Sequence, residues 1–179
     1  MDSSITDIQT TQYLTFTLDR EVFAVDVAKV REILDFTPAT KVPATPDFMR
    51  GIINVRGNVV PVVDMRLKFG MSATEKTVDT CIVIMEIASE EDITVFGALV
   101  DSVQEVFELE ASLIEPAPKM GTGYRIEFIK GIGKHNDELI MILDIDRVFS
   151  TDEAVLFHQS SVEADMHPES AAVPQSLGG

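Results

Sequence analysis

The chain has 179 residues, 45% of them apolar, and a formal net charge of −16. A chain of this length buries roughly two-thirds of its unfolded surface without help from metal or disulfide. Its single cysteine, Cys81, excludes an internal disulfide and suits a reducing compartment. The charge excludes general binding to nucleic acid or anionic lipid, both of which need a basic face.

Residues 1–11 are polar and lack the basic flank and apolar core of a signal peptide. They are expected to be flexible, and the protein cytoplasmic. Tyr13 to Leu18 alternate apolar and polar, the pattern of a half-buried strand. Asp19-Arg20-Glu21 turns the chain into a second strand, Val22 to Val25. Val27, Val30 and Leu34 recur at helical spacing and predict a short helix ending before Thr37-Pro38. Thr45-Pro46 predicts a second, capped by the threonine and stopped at Gly51. Residues 52–63 predict a hairpin turning at Arg56-Gly57-Asn58. Pro61 cannot donate to a ladder and predicts an edge strand or a bulge. Asp64 to Phe69 predict one helical turn closed by Gly70. Thr80–Ile87 and Ile93–Leu99 predict strands around the acidic turn 89–92, and Val103–Leu109 a further strand. A loop carries Pro116, Pro118, Gly121 and Gly123. A second hairpin turns at His135-Asn136-Asp137, and Ser150 with Glu153 forms a capping box for a short C-terminal helix. Residues 158–179 form an acidic tail whose composition predicts disorder.

The chain contains a partial copy of itself. GIINVRGNVVPVVDMRLKF (51–69) aligns without a gap to GIGKHNDELIMILDIDRVF (131–149), with Gly51/Gly131, Ile52/Ile132, Asp64/Asp144 and Phe69/Phe149 identical. FAVDVAKVREI (23–33) echoes FGALVDSVQEV (96–106), sharing Phe23/Phe96, Val27/Val100, Val30/Val103 and Glu32/Glu105. This spacing is too long for a solenoid. Many short strands plus a duplication predict an all-β protein of two small barrels packed together, whose seam is the place to look for function.

The search for catalytic chemistry finds little. His135 lies on a turn, and His158 and His167 lie at or beyond the last predicted helix. None has a triad arrangement or metal-ligand spacing. Gly121-Thr-Gly123 and Gly131-Ile-Gly133 are only fragments of a nucleotide loop, and neither precedes a convincing helix. Asp144-Ile-Asp146 resembles a metal pair, but its counterpart is Asp64-Met-Arg66. The shared aspartate reads as a helix cap. Cys81, inside Cys81-Ile82-Val83-Ile84-Met85, reads as a buried structural thiol. From Lys41 to Lys68 five basic residues face two acids, which reads either as solvated surface or as a contact for an acidic partner.

Three features ask for more than a structural role. Arg56 stands at a hairpin tip, and its counterpart in the second copy, Asn136, is uncharged. Glu32, on a face beside Val27 and Val30, is expected to be largely exposed. Val103-Gln104-Glu105-Val106 is the equivalent segment of the other half. Together they could border an apolar groove that accepts a partner helix.

Over about residues 11–157 the chain resembles the CheW family of bacterial chemotaxis coupling proteins. The motifs are YLTFTL, VFAVDVAKVREI, VPATPDFMRGIINVRGNVVPVVDMRLKF, VDSVQEVFEL, IEPAP and FIKGIGKHNDELIMILDIDRVF, in that order. The resemblance implies two intertwined, SH3-like five-stranded barrels around a shared core, spanning 12–157. It implies a non-catalytic adaptor, without cofactor, that couples transmembrane chemoreceptors to the histidine kinase CheA in membrane-associated arrays. The output could be swimming or another response. Carried over, the receptor-binding residues are Val27, Val30, Glu32, Gly51, Arg56, Gly57, Val103 and Val106, receiving the receptor's hairpin tip. A second contact, with the CheA regulatory domain or other CheW-like domains in rings, would involve strand edges including Pro61. It would also involve Glu115 and Met120, where some members have an arginine and an aromatic residue.

Overall fold

The structure, a computed structural model, describes residues 9–88, 93–116 and 128–148. Its strands are β1 (Thr10–Leu18), β2 (Glu21–Asp26), β3 (Val30–Asp35), β4 (Met49–Val55), β5 (Asn58–Asp64), β6 (Cys81–Ala88), β7 (Ile93–Val100), β8 (Ser102–Glu110), β9 (Ile129–His135) and β10 (Glu138–Leu143). Single 3-10 turns cover Val27–Lys29, Ala111–Leu113 and Ile145–Arg147, and one α-helical turn covers Met65–Lys68. The all-β expectation holds. The expected C-terminal helix and the tail lie outside the described residues, as do His158, His167 and the acidic turn at 89–92.

The strands form two five-stranded sheets, ordered β8-β1-β2-β10-β9 and β3-β6-β7-β5-β4. Each sheet curls until its edge strands meet. In the first (barrel A), the His135 ring on β9 stacks on Phe107 of β8 at 4.2 Å. In the second (barrel B), Arg56 beyond β4 reaches Glu32 of β3 at 3.1 Å.

The sequence repeat does not coincide with the barrels. Strands β1–β5 form one repeat and β6–β10 the other. Each repeat places its first two strands in one barrel and its last three in the other. The chain crosses between barrels at Val27–Lys29 and again at Asp101. Neither repeat can therefore complete a barrel alone.

Three apolar clusters follow from this exchange. One fills barrel A with Tyr13, Val22, Ala24, Phe107, Leu109, Ile140 and Ile142. Another fills barrel B with Ile53, Val60, Val62, Ile82, Ile84 and Leu99. The largest lies between them and draws on both sheets, with Phe16, Phe23, Val25, Val83, Met85 and Phe96 all buried. Alternation along β1, β2, β6 and β7 sends one face to a barrel interior and the other to this shared core.

Cys81 is buried, as read from the sequence. Burial raises its thiol above the ordinary range, helped by the Asp35 and Asp79 carboxylates. A hydrogen bond from the Val103 backbone works against the rise.

Two local expectations are corrected. Residues 27–34 form a 3-10 turn followed by β3, not a helix. The β-branched residues Val30 and Ile33 pair with Met85 and Val83 of β6, so sheet pairing overrides the helical spacing. Thr45-Pro46 starts no helix. The Thr45 hydroxyl donates back to the Val42 carbonyl, and β4 begins at Met49.

Pro61 does not mark an edge: β5 lies between β7 and β4. Its partner Ile52 directs its backbone N–H and C=O to Thr40, so Ile52 and Pro61 exchange no bond. The β5–β7 ladder begins only at Val62. A proline there costs the sheet no hydrogen bond.

Candidate functional site

Barrel B opens at the end formed by the β4–β5 hairpin. Arg56 and Gly57 make the turn with φ of 53° and 87°. Two successive positive φ values define the tight hairpin turn whose twist matches its strands, and glycine meets the second without strain. The Gly57 N–H donates to the Asn54 side chain at 2.8 Å. The turn carries Arg56 to the rim, where its side chain is 79% exposed.

Glu32 reaches the same rim from β3. Even-numbered positions of this strand turn inward and odd-numbered ones outward. Glu32 thus shares a face with Leu34, and its side chain is only 24% exposed, correcting the expectation of a largely exposed carboxylate. The two charges meet across the mouth of a cavity of about 640 Å³. Val55, Val59, Val60, Ile84, Ile93 and Val95 supply its apolar lining. This lining escaped the sequence reading, although the alternation of β4 and β5 carried its signal.

Val27, Val30 and Val103 lie away from that rim, on the seam between the barrels. All three are half-buried and pack on the shared core. Val27 stands on the first crossover and Val30 opens β3 opposite Met85. Val103 opens β8 opposite Phe16, with its backbone against Cys81. Each crossover strand carries a bulge beside its valine: β3 at Val30/Glu32, and β8 opposite Leu14/Phe16. In β8 the Thr15 hydroxyl fills the bulge by bonding the Glu105 backbone N–H and carbonyl, at 3.1 and 3.0 Å. Val106 follows on the outer edge of barrel A and is exposed.

Gly51 is not a surface residue. It is buried in β4 with φ +139°, and a side chain there would collide with the Thr40 carbonyl oxygen. Thr40 exchanges two backbone hydrogen bonds with Ile52, each 2.8 Å, and glycine permits that approach. Gly131 repeats the arrangement beneath Glu115, which bridges to Ile132. Pro61 is buried and presents no strand edge. Glu115 is exposed, and Met120 lies outside the described residues.

The basic stretch from Lys41 to Lys68 is largely consumed within the fold. Arg56 pairs with Glu32, and Arg66 reaches Asp101 at 3.3 Å and Asp19 at 3.5 Å. Lys68 is buried, its ammonium over the Phe48 and Phe128 rings. Asp144 and Asp64 are helix caps, as read from the sequence. Asp64 accepts from the backbone N–H of Arg66, Leu67 and Thr74 and from the Thr74 hydroxyl. No group of three metal-ligating side chains occurs among the described residues.

The family description of the CheW-like domain matches residues 12–153. The chain belongs to the CheW-like family. It is 32% identical over 145 residues to the chemotaxis protein CheW of Klebsiella aerogenes, covering 81% of this chain and 85% of that protein. It is 32% identical over 142 residues to CheW of Rhizobium meliloti, covering 79% and 89%. Among solved structures, that of the scaffolding protein TtCheW from Thermoanaerobacter tengcongensis superposes with a TM-score of 0.72 at 33% identity. It covers 81% of this chain and 91% of that one. The family is one of non-catalytic chemotaxis scaffolds, so the adaptor reading of the sequence holds. Among the described residues no helix is long and apolar enough to cross a membrane.

Proposed function

We propose that this CheW-like protein couples the cytoplasmic hairpin tip of a chemoreceptor to the histidine kinase CheA. The receptor site in this reading is the seam, with Val27, Val30 and Val103, together with the barrel B rim at Glu32, Arg56 and Gly57. Val106 extends it along β8. The observation that carries the reading is the half-buried state of the three valines. Each rests on the shared core and leaves part of an apolar side chain for a partner to cover. Burying such surface drives association, while the rim charges set register and partner choice. Gly51 acts from beneath, by holding β4 against Thr40. The second contact, toward CheA or a neighbouring CheW-like domain, is assigned to the Glu115 side of barrel A. Recruitment to membrane-associated receptor arrays follows from the receptor contact.

A pull-down of the full chain with a receptor hairpin and with the CheA regulatory domain tests this, wild type beside Arg56→Glu. The reading expects wild type to bind both and the variant to lose the receptor selectively. Binding to neither by wild type overturns it.

A further inference from the structure

Two cations of the Lys41–Lys68 basic stretch are left over by the fold. Lys41 and Arg50 stand at the end of barrel B opposite Arg56, where they line a second cavity of about 410 Å³. Phe36, Pro38, Met49 and Leu99 give this hollow its apolar lining. A third cation, the Lys76 ammonium, sits over the Phe36 ring at 5.1 Å. Asp47 is the one acid among the lining residues. Among the described residues, neither Lys41 nor Arg50 has an ion pair or hydrogen bond from its side chain. Unpaired cations around an apolar hollow suit an acidic occupant with an apolar anchor.

The chain carries such a segment. Residues 149–179 lie outside the described residues. Among them, VEADMHPE (162–169) sets Glu163, Asp165 and Glu169 around Met166, and from Ser160 to Gly179 there is no lysine or arginine. Methionine is unbranched and flexible, and it fills irregular apolar hollows. Val148, the last described residue, is buried in the shared core together with Met49, which also lines the hollow. Extended, the chain from Val148 to Glu163 spans up to about 50 Å. A folded unit of this size has a radius of gyration of about 15 Å, so the segment reaches the hollow of its own molecule.

We infer that residues 162–169 dock back onto the Lys41–Arg50 end of their own barrel B. Met166 enters the hollow, and Glu163, Asp165 and Glu169 meet Lys41, Arg50 and Lys76 at its rim. Each exposed charge pair is weak by itself. Tethering raises the effective concentration to the order of millimolar, so a contact too weak to form between molecules forms within one. The segment is a built-in cover over an apolar, cationic face, lifted by salt or by a more acidic competitor. The inference goes beyond the proposed function and rests on neither the receptor site nor the kinase contact.

Nuclear magnetic resonance on the full chain tests it. A nitroxide is attached at Ala164→Cys, Cys81 being buried, and the backbone amides of the same molecule are followed. Amides of residues 36–41 and 47–50 should broaden at low salt and sharpen at about 0.5 M salt, which screens the rim charges. Glu163→Lys/Asp165→Lys/Glu169→Lys leaves every described residue untouched. It should lower the docked fraction about tenfold or more, because three attractions become repulsions. Adding Lys41→Glu/Arg50→Glu to that variant should bring broadening back, and Lys41→Glu alone stands in if the double change fails to fold. Met166→Ser should also weaken the broadening. Isotope-labelled chains without nitroxide, mixed with unlabelled chains that carry it, should keep sharp amides. Amides that stay sharp in the nitroxide-bearing chain, broadening indifferent to the charge reversal, a combined variant that stays undocked, or equal broadening in the mixture overturns the inference.

Discussion

At the residue scale, Arg56 and Gly51 were read together from the sequence, and the structure separates them. Arg56 is exposed and pairs with Glu32, and exposed ion pairs contribute about 0–1 kcal/mol. Arg56→Glu should therefore leave thermal unfolding nearly unchanged while reducing receptor binding. A collapse in melting temperature would remove the residue from the binding surface. Gly51→Ala should do the reverse. Its φ of +139° and the Thr40 carbonyl against it make any side chain costly, about 2 kcal/mol or more. Denaturant unfolding measures that loss, and an unaffected midpoint would contradict the role given to Gly51. Cys81 provides a pH test. Burial raises its thiol, so at pH 8 alkylation should be slow in the native protein and fast in denaturant. The unfolded thiol ionises first as pH rises, so this group's contribution to stability falls as pH climbs through the ordinary thiol range. Equal alkylation rates in native and unfolded protein would show that Cys81 is accessible.

At the element scale, β3 carries the test. Val30→Ala trims a half-buried side chain and should cost about 1 kcal/mol of stability, with modest loss of receptor binding. Val30→Asp places a charge on the seam and should cost far more binding. Calorimetric titration with a receptor hairpin separates the two, and equal losses would point to core damage instead. The same element shows what was legible in the sequence. The hairpins were, because Arg56-Gly57 and Asn136-Asp137 carry local turn chemistry between β-branched runs. So were the caps, because Asp64 and Asp144 recur at equal positions. The helix expected at 27–34 was not, because pairing with β6 is a long-range effect that the spacing of three residues does not record. Glu32 was misplaced for the same reason: strand alternation, not a helical face, directs it to the rim. The crossovers hide a further regularity. Arg66 holds Asp101 at one junction, and Asp146 holds Lys29 at 2.8 Å at the other. Position 66 and its repeat 146 carry opposite charges, and each pairs with a residue of a crossover, a relation that only the fold brings together.

At the scale of the whole molecule, strand exchange makes the two repeats one cooperative unit. A chain divided between Glu75 and Lys76 should give halves that are unfolded alone, each lacking two or three strands of both barrels. Mixed, they should recover β-sheet circular dichroism and a cooperative melt. Independent folding of either half would contradict the shared core. This rigidity suits an adaptor: the valines of the two crossovers are fixed by one core, so a partner covering both engages both repeats at once. The most direct test is amide hydrogen exchange on the full chain, with and without a saturating receptor hairpin. The account predicts added protection at residues 27–32, 55–58 and 103–106. Binding that leaves those segments unchanged and protects other surfaces would contradict it.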